Sequence, residues 1–319
     1  MKYLNYNDKM YSKIGIGTGR FGTVVPRELS WELLDIFVQN GGTVIDTARN
    51  YYEWVENGRG KSEECIGEWM SNRHNRDRVC ICTKGGVRNN GNEWHIDLSK
   101  GALLAEIQQS LEALRTDYID IYVLHRDEPS RDVREIVDTL QHLAELANIT
   151  HIGVSNWKAD RVIAANEYAA QNSLRPLEIV QTWWSLAEYK YEMWDDENTT
   201  HMDYKLYEYM LENSMTGMAY TSMCKGFFQK ACEVGLENVD EFLKYRIATE
   251  RNLKKLDFIK RYCKENKVSP TAFVTGYITS NALSGIALVS TSQKNHLNDI
   301  IDSSDYELPT EIINKIDSI

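Results

Sequence analysis

Four side chains that can take part in proton transfer follow short apolar runs of this chain. Asp46 ends the run TVID, Lys84 ends VCICTK, His125 ends IDIYVLH, and Tyr51 lies five residues after Asp46. A free tyrosine has a pKa of about 10, so its phenol is a weak acid at neutral pH. A lysine ammonium beside the phenol favours the phenolate, and a carboxylate keeps that lysine charged. We therefore expect Lys84 to lower the pKa of Tyr51.

These residue types suit the reduction of a carbonyl group. The phenol can donate a proton to the carbonyl oxygen while a hydride reaches the carbon, and the imidazole can orient and polarise that oxygen. A nucleophilic mechanism has less support, because Cys224 and Cys232 have no histidine near them in the sequence. The pattern therefore favours proton donation to an oxygen over covalent catalysis.

Eight short apolar runs, alternating with helical patterns, must position these side chains. The predicted strands are Lys13–Gly19, Thr43–Thr47, Val79–Lys84, Ile119–His125, His151–Ser155, Glu178–Thr182, Met218–Thr221 and Gly285–Val289. Strict alternation predicts a parallel sheet, and eight strands are the number that closes a (β/α)8 TIM barrel. We expect an α/β chain with one barrel domain over residues 1–319. Periodicity alone leaves an open sheet as the alternative.

The helices between these strands are predicted from apolar residues at helical spacing. They are Arg27–Asn40, Ser62–Ser71, Ser99–Leu114, Val133–Leu146, Arg161–Gln171, Tyr204–Asn213, Leu243–Asn266, Thr271–Thr279, His296–Ile301 and Pro309–Ile316. Ser62 is expected to cap one helix, and Ser269, followed by Pro270 in the first turn, to cap another.

In a closed barrel the strand ends share one mouth, where such folds place their sites. Side chains alternate along a strand, so Cys80 and Cys82 share a face with Lys84. These small residues are expected to fill the barrel below the lysine. A lysine above such a core is costly unless it is paired, and Asp46 on the adjacent strand is the expected partner.

The segment from Gly17 to Gly22 fits G-x-G-x-x-G, the phosphate-binding pattern of Rossmann sheets. That pattern requires its glycines to open a helix directly, so that the pyrophosphate meets the helix N-terminus. Here the helical pattern begins only after Pro26. We therefore expect no Rossmann fold and assign these glycines to a turn or a close approach to a ligand.

Composition excludes several classes of protein. The chain has 319 residues, 42% hydrophobic and 26% charged, with a formal net charge of −11. This charge argues against broad binding to nucleic acid or to an anionic membrane. The polar N-terminus and the absence of a long apolar run predict a cytoplasmic protein with neither signal peptide nor membrane span.

The six cysteines are scattered through a large chain, which favours reduced thiols over a disulfide framework. The pair Cys80-x-Cys82 lacks a second pair at zinc-binding spacing, so no metal site is expected.

Seven motifs, in order along the chain, resemble those of the aldo-keto reductase superfamily. They are GGTVIDTARNYY, GKSEECIG, VCICTKGG, ALRTDYIDIYVLHR, ITHIGVSNW, VQTWWSL and AYTSMCKGFF, and the likeness runs from Gly15 to Leu297. The resemblance implies a (β/α)8 barrel without a Rossmann fold. It also implies an NAD(P)H-dependent oxidoreductase of the alcohol dehydrogenase type (EC 1.1.1), which interconverts an aldehyde, ketone or keto-sugar and an alcohol.

The resemblance also implies the roles of individual residues. The catalytic tetrad would be Asp46, Tyr51, Lys84 and His125, with the hydride from nicotinamide and the proton from Tyr51. The spacing of the motif D-T-A-x-x-Y selects Tyr51 over Tyr52. Ser155, Asn156 and Gln181 would hold the nicotinamide carboxamide, because an amide requires both donors and acceptors. Tyr220 would stack on the nicotinamide ring.

The other positions that the resemblance places at the cofactor lie in three loops. They are Gly17, Thr18, Thr221, Ser222, Met223, Lys225, Gly226, Ser290, Thr291, Ser292, Lys294 and Asp299. Ser292 and Lys294 can hold an adenosine 2′-phosphate, which favours NADP(H), with NAD(H) as the alternative. The chain departs from the family pattern in lacking an arginine here, in Ser290 for a glycine or proline, and in Cys224 for a loop glycine.

A small-molecule carbonyl or alcohol is the expected partner, and a homo-oligomer is left open. The residues predicted to line its pocket are Tyr52, Trp54, Trp94, Arg126, Trp157 and Trp184, the last standing where a tyrosine is common. Flat aromatic faces suit sugar, aromatic or steroid-like rings. The alternative for part of this set is packing against the barrel rim. The acidic loop 192–203 is a candidate lid.

Two other functions are consistent with the sequence. A Schiff-base lyase would use Lys84 as an amine, but it needs a neutral lysine, which Asp46 opposes. A non-catalytic, nicotinamide-binding subunit that senses redox state would use the same barrel. The sequence leaves open the substrate, the physiological direction and the oligomeric state.

Overall fold

A computed structural model describes residues 1–6, 9–89, 94–190 and 199–319 of the chain. Its strands, in chain order, are β1 Tyr3–Tyr6, β2 Lys9–Ser12, β3 Ile14–Gly17, β4 Val44–Asp46, β5 Cys80–Gly85, β6 Val87–Asn89, β7 Trp94–Ile96, β8 Ile119–Leu124, β9 Ile149–Ser155, β10 Ile179–Trp183, β11 Thr216–Tyr220 and β12 Gly285–Val289. Eight of them form a closed parallel barrel in the order β3, β4, β5, β8, β9, β10, β11 and β12, which pairs back with β3. The predicted (β/α)8 barrel is confirmed.

Helices connect the barrel strands. They are α1 Arg27–Gln39, α2 Lys61–Arg73, α3 Lys100–Leu114, α4 Val133–Leu146, α5 Ala159–Gln171, α6 Tyr204–Glu212, α7 Phe227–Glu233, α8 Glu241–Ile247, α9 Glu250–Asn266, α10 Pro270–Thr279, α11 Lys294–Asp302 and α12 Thr310–Asp317. The prediction of one helix over Leu243–Asn266 is wrong. Thr249 caps a new helix by accepting a hydrogen bond from the Asn252 amide at 3.1 Å, so the chain breaks there.

The predicted caps have different outcomes. Ser269 accepts a hydrogen bond from the Ala272 amide at 3.0 Å, and Pro270 follows in the first turn, which confirms that cap. The cap at Ser62 is wrong, because α2 starts from Gly60 in the left-handed conformation (φ 76°). The Ser62 hydroxyl instead donates to the Thr18 carbonyl at 2.9 Å and so ties α2 to the loop after β3.

The barrel interior is a cluster of its own, separate from the core between strands and helices. It contains the predicted pair Cys80 and Cys82 together with Ile121 and Val123. Alternation along the strands therefore places apolar side chains below and polar ones at the carboxyl end, as expected.

The structure has two antiparallel hairpins that the sequence did not predict. The β1–β2 hairpin brings Tyr11, 1% exposed, into the interior cluster of the barrel. The β6–β7 hairpin follows β5 and pairs Arg88 with His95. The β1–β2 hairpin therefore contributes a side chain to the barrel interior. The β6–β7 hairpin directly follows β5, the strand that carries Lys84.

The G-x-G-x-x-G segment does not open a helix, because α1 begins at Arg27. Gly22 has φ +70°, and a Cβ atom there would lie 2.8 Å from the Lys61 carbonyl oxygen. This glycine therefore allows the loop to pack closely against α2. Among the described helices, none is long and apolar enough to cross a membrane.

Candidate active site

The ends of β4 and β5 bring a lysine, a carboxylate and a phenol into direct contact. The Lys84 ammonium donates to Asp46 Oδ1 at 2.8 Å, to the Tyr51 hydroxyl oxygen at 2.8 Å and to the Thr47 carbonyl at 2.7 Å. Lys84 is 0% exposed and Asp46 2% exposed. The predicted pairing of Lys84 with Asp46 is therefore present, and three oxygens satisfy the buried ammonium.

The local fold produces this contact. Asp46 pairs with Cys82 in the register of β4 and β5, so Lys84 lies two residues further along on the same face. The loop after β4 then turns back, since the Arg49 amide donates to the Lys84 carbonyl at 3.2 Å. This turn returns Tyr51 to the mouth, where its side chain is partly exposed.

The expected effect of Lys84 on Tyr51 is only part of the electrostatics. Burial and the Asp46 carboxylate raise the pKa of Tyr51 more than Lys84 lowers it, so the net shift is upward. The phenol donates to Asp46 Oδ2 at 2.9 Å. The prediction of a lowered pKa is therefore wrong for the protein alone, and the phenol keeps its proton at neutral pH.

Lys84 is held as an ammonium. Burial disfavours its charge, but Asp46 and Tyr51 outweigh burial, and the pKa of Lys84 is raised. A buried ammonium next to a phenol and a carboxylate provides a fixed positive charge beside the phenol oxygen.

His125 completes the group from the residue after β8. Its ring centroid lies 5.9 Å from that of Tyr51, with the planes 76° apart. Its Nδ1 is 2.8 Å from Asn50 Oδ1. Burial, and then the positive charges of Arg126 and Lys84, hold the pKa of His125 well below its ordinary value, so the ring is neutral.

Four residues that sequence reasoning missed hold the loop of Tyr51. Glu63 is 0% exposed and receives the Arg49 guanidinium at 3.1 Å and the Thr83 hydroxyl at 2.6 Å. Asn50, 3% exposed, contacts His125. The sequence gives no signal for Glu63, because its burial, and hence its need for a partner, is visible only in the structure.

The predicted nicotinamide residues lie at the ends of β9, β10 and β11. Asn156, with φ 60°, donates to Ser155 Oγ at 2.9 Å and accepts from the Tyr220 hydroxyl at 2.6 Å. The Gln181 amide donates to Asp46 Oδ1 at 2.8 Å. This set offers hydroxyl and amide groups next to the tetrad, which is the chemistry that a carboxamide requires.

The loop after β11 contains several residues in the left-handed conformation: Thr221, Cys224, Lys225 and Gly226. Burial and the nearby Arg246 lower the pKa of Lys225, so two cations lie close together here. Positive charge at this loop is compatible with an anionic ligand such as a diphosphate. The Ser222 hydroxyl is buried and donates to the Leu288 carbonyl at 2.7 Å, and Met223 packs against the core.

The remaining predicted cofactor positions divide into exposed and structural residues. Ser290, Ser292 and Lys294 are exposed and Thr291 is partly exposed. Lys294 is paired with Glu32 at 2.5 Å, and Asp299 accepts a hydrogen bond from the Thr271 hydroxyl.

Gly17 and Thr18 lie behind Asp46. Gly17 pairs with Asp46 in the register of β3 and β4, and the buried Thr18 hydroxyl donates to the Asp46 carbonyl at 2.8 Å. These two residues therefore position the carboxylate from behind.

The predicted pocket residues fall into a group with exposed rings and a group that is buried in the core. Tyr52 and Trp54 have ring centroids 4.9 Å apart, and Arg126 lies 5.7 Å from the Trp94 ring. Trp54 is 51% and Trp94 37% exposed, so both offer aromatic surface.

Trp157 and Trp184 are 0% and 4% exposed and belong to the core between strands and helices. Their indoles present almost no surface to a ligand, so we leave them out of the proposed pocket. Residues 192–198 of the candidate lid lie outside the described residues. In the part of the chain that is described, no cluster of three His, Cys, Asp or Glu residues could hold a metal ion.

The sequence model of the Aldo/keto reductase family matches residues 13–319, and the chain belongs to this family. It is therefore an oxidoreductase whose family activity is NAD(P)H-dependent carbonyl reduction.

Several curated proteins are similar to this chain. A probable aryl-alcohol dehydrogenase of Saccharomyces cerevisiae is 29% identical over 92% of this chain and 88% of its own length. An aldo-keto reductase of Emericella nidulans is 34% identical over 50% of this chain and 40% of its own length. A norsolorinic acid reductase of Aspergillus flavus is 33% identical over 50% of this chain and 41% of its own length.

Proposed function

We propose that this protein is an alcohol dehydrogenase-type aldo/keto reductase (EC 1.1.1) in which Tyr51 donates the proton. The observation that carries this proposal is the contact of the phenol oxygen with the Lys84 ammonium at 2.8 Å, while the phenol donates a hydrogen bond to Asp46 Oδ2 at 2.9 Å. The raised pKa of Tyr51 keeps a proton available at neutral pH. Lys84 stabilises the negative charge that the phenol oxygen acquires when the proton leaves.

We propose that Ser155, Asn156 and Gln181 hold the nicotinamide carboxamide and that Tyr220 lies against its ring. The bound nucleotide would supply the hydride. Gln181 donates to the same Asp46 oxygen as Lys84, so the carboxamide site and the proton-donating group share a carboxylate. This shared contact supports coupling between nucleotide position and the orientation of Asp46.

NADP(H) is the proposed nucleotide, with NAD(H) as the alternative. Lys225 and Arg246 support a diphosphate at the loop after β11. Ser292 and Lys294 are exposed, and the positive side chain of Lys294 supports binding of the extra 2′-phosphate of NADP(H).

An aromatic aldehyde, or the corresponding alcohol, is the proposed substrate class. The similar yeast protein is a probable aryl-alcohol dehydrogenase, which supports this class. The exposed faces of Trp54 and Trp94 also support it, because aromatic rings stack well on such surfaces. Ketones and keto-sugars remain in the test set.

The test is a screen of aromatic aldehydes, keto-sugars and ketosteroids with NADPH and NADH, followed by nucleotide absorbance. Tyr51→Phe removes the proton donor and little volume, and we expect kcat to fall about 10²–10⁴-fold. Tyr118→Phe is the matched control, because Tyr118 lies before β8 and stacks on Arg76 at 3.7 Å, away from the strand ends. Normal turnover by Tyr51→Phe would exclude this mechanism.

The Schiff-base alternative is not favoured, because the raised pKa of Lys84 keeps it an ammonium. Nothing in the site favours a non-catalytic subunit. We propose a cytoplasmic location on the strength of six free cysteines, five of them buried.

A further inference from the structure

One buried polar residue next to Tyr51 is not used by the proposed proton transfer. Asn50 is 3% exposed, and its side chain contacts Nδ1 of His125 at 2.8 Å. On the other side of the ring, Nε2 makes no hydrogen bond within the described residues, and the His125 side chain is partly exposed. The imidazole therefore has one nitrogen held by the protein and one left for a ligand.

A neutral imidazole carries one proton, and the partner of one nitrogen decides which nitrogen carries it. Asn50 presents Oδ1, a hydrogen-bond acceptor, to Nδ1. Nδ1 must then carry the proton, and Nε2 must carry a lone pair.

The surroundings of His125 keep the ring neutral, so the tautomer is its only variable. Arg126 and Lys84 disfavour a second proton on the ring, and Tyr51 packs edge-on against it. Asn50 is a further polar group at the ring, and it is uncharged. No carboxylate contacts His125 in the described part of the chain.

We propose that Asn50 is a positioning residue that holds His125 in the Nδ1–H tautomer, so that Nε2 accepts a hydrogen bond from the substrate. The tautomer follows from the Asn50 contact alone, whereas the identity of the group bound at Nε2 rests on the proposed function. A lone pair on Nε2 recognises the hydroxyl hydrogen of the alcohol. Polarisation of the carbonyl oxygen is then left to Tyr51 alone, which differs from the role that the residue types suggest for the imidazole. The contact is a hydrogen bond, and no proton moves to His125.

The first test reads the tautomer directly, without any turnover. In protein labelled with ¹⁵N at histidine, we expect Nδ1 of His125 to show the shift of a protonated nitrogen and Nε2 that of an unprotonated one. His125→Gln assigns the signals. His151, whose Nδ1 lies 3.0 Å from the Glu178 carboxylate, is an internal reference for a protonated Nδ1. A proton on Nε2 of His125 in the wild-type protein would overturn the proposal.

Variants of Asn50 test whether this residue sets the tautomer. Asn50→Ala removes the acceptor, and we expect the proton to shift toward Nε2. Asn50→Asp keeps an acceptor at Nδ1, so the proton should stay on Nδ1 at a pH where the ring of this variant is neutral. Asn166→Ala is the matched control, since Asn166 is a buried asparagine bonded to the Leu177 backbone. An unchanged tautomer in Asn50→Ala would overturn the proposal.

Kinetics separates positioning from simple destabilisation. We expect Asn50→Ala to lower kcat/KM about tenfold, because loss of the outer hydrogen-bond partner of a functional histidine costs about 10–100-fold at metal sites. In Asn50→Asp the new carboxylate favours the imidazolium, so an ionisation of His125 should enter the neutral range of the pH profile. Neither effect is expected in Asn166→Ala. A pH profile unchanged in Asn50→Asp would overturn the proposal, whereas absence of carbonyl turnover in the wild type would exclude only the proposed function.

Discussion

Lys84 is a fully enclosed ammonium that tolerates burial because oxygens surround it. Asp46, the Thr47 carbonyl and the Tyr51 hydroxyl each lie within 2.8 Å of its nitrogen. A buried ion pair contributes little net stability, but removal of one member leaves an uncompensated charge. Lys84 therefore affects both the stability of the fold and the positions of Asp46 and Tyr51.

Lys84→Met is expected to lower both stability and activity. Asp46 loses its cation but keeps its burial, so the free energy of unfolding should fall by about 3–5 kcal/mol. We expect kcat to fall at least about a hundredfold, because the phenol oxygen loses its stabilising charge. Urea unfolding and steady-state kinetics measure the two effects.

The double variant Asp46→Asn with Lys84→Met should be less destabilised than Lys84→Met alone, because no buried charge remains. Lys100→Met, at the exposed start of α3, is the control. Equal destabilisation of the single and double variants would contradict the charge argument.

The lowered pKa of His125 predicts a loss of stability in mild acid. The unfolded chain binds a proton at this histidine near pH 6.5, whereas the folded protein does not, because burial, Arg126 and Lys84 oppose it. Stability from this residue is therefore present above about pH 6.5. It is lost as the pH falls toward the folded pKa, by about 1.4 kcal/mol per pH unit.

Urea unfolding of wild type and His125→Gln at pH 7.5 and 5.5 isolates this effect, since other groups titrate in both proteins. The wild type should lose about 1.4 kcal/mol more than the variant over this range. An equal loss in both proteins would mean that His125 titrates normally in the folded state.

At the scale of elements, the β1–β2 hairpin contributes an unpaired hydroxyl to the barrel interior. The Tyr11 side chain is 1% exposed, and its hydroxyl finds no hydrogen-bond partner among the described residues. A buried hydroxyl without a partner costs about 1–3 kcal/mol, whereas the ring fills space next to Cys80 and Ile121.

Tyr11→Phe is therefore expected to stabilise the protein by about 1 kcal/mol, and Tyr11→Ala to destabilise it by about 3–5 kcal/mol. Calorimetry or urea unfolding measures both changes. Kinetic constants should stay at wild-type values in Tyr11→Phe, because the hairpin lies at the end of the barrel opposite the tetrad. Destabilisation by Tyr11→Phe would show that a water or another group satisfies the hydroxyl.

The strand ends were the part of the site that the sequence could predict. A barrel strand must alternate, so Cys80 and Cys82 identify the inward face on which Lys84 lies. Asn50 could not be found in this way, because it lies on a loop whose path depends on hydrogen bonds such as that of Arg49 to the β5 backbone. The hairpins escaped prediction for a related reason: their strands are three or four residues long and have no clear apolar period.

At the scale of the whole molecule, the net charge of −11 opposes an anionic nucleotide. The proposed nucleotide binding would therefore depend on local cations such as Lys225 and Lys294. Lys294 on α11 already faces Glu32 on α1 at 2.5 Å, with both side chains about half exposed, at 51% and 54%. Such a surface pair contributes only about 0–1 kcal/mol, so a phosphate can replace the carboxylate at little cost.

This competition predicts opposite effects of two substitutions on nucleotide affinity. Lys294→Met should weaken NADPH about tenfold and leave NADH nearly unchanged, because only NADPH carries the 2′-phosphate. Glu32→Gln should strengthen NADPH binding, because Lys294 can then bind the phosphate without breaking an ion pair with Glu32. Glu28→Gln is the matched control: Glu28 lies on the same helix and pairs with Arg27, and its substitution changes the net charge equally.

Fluorescence titrations at one ionic strength measure the affinities. Equal gains from both glutamate substitutions would assign the effect to the overall charge, and an equal loss for NADH would exclude a 2′-phosphate contact at Lys294.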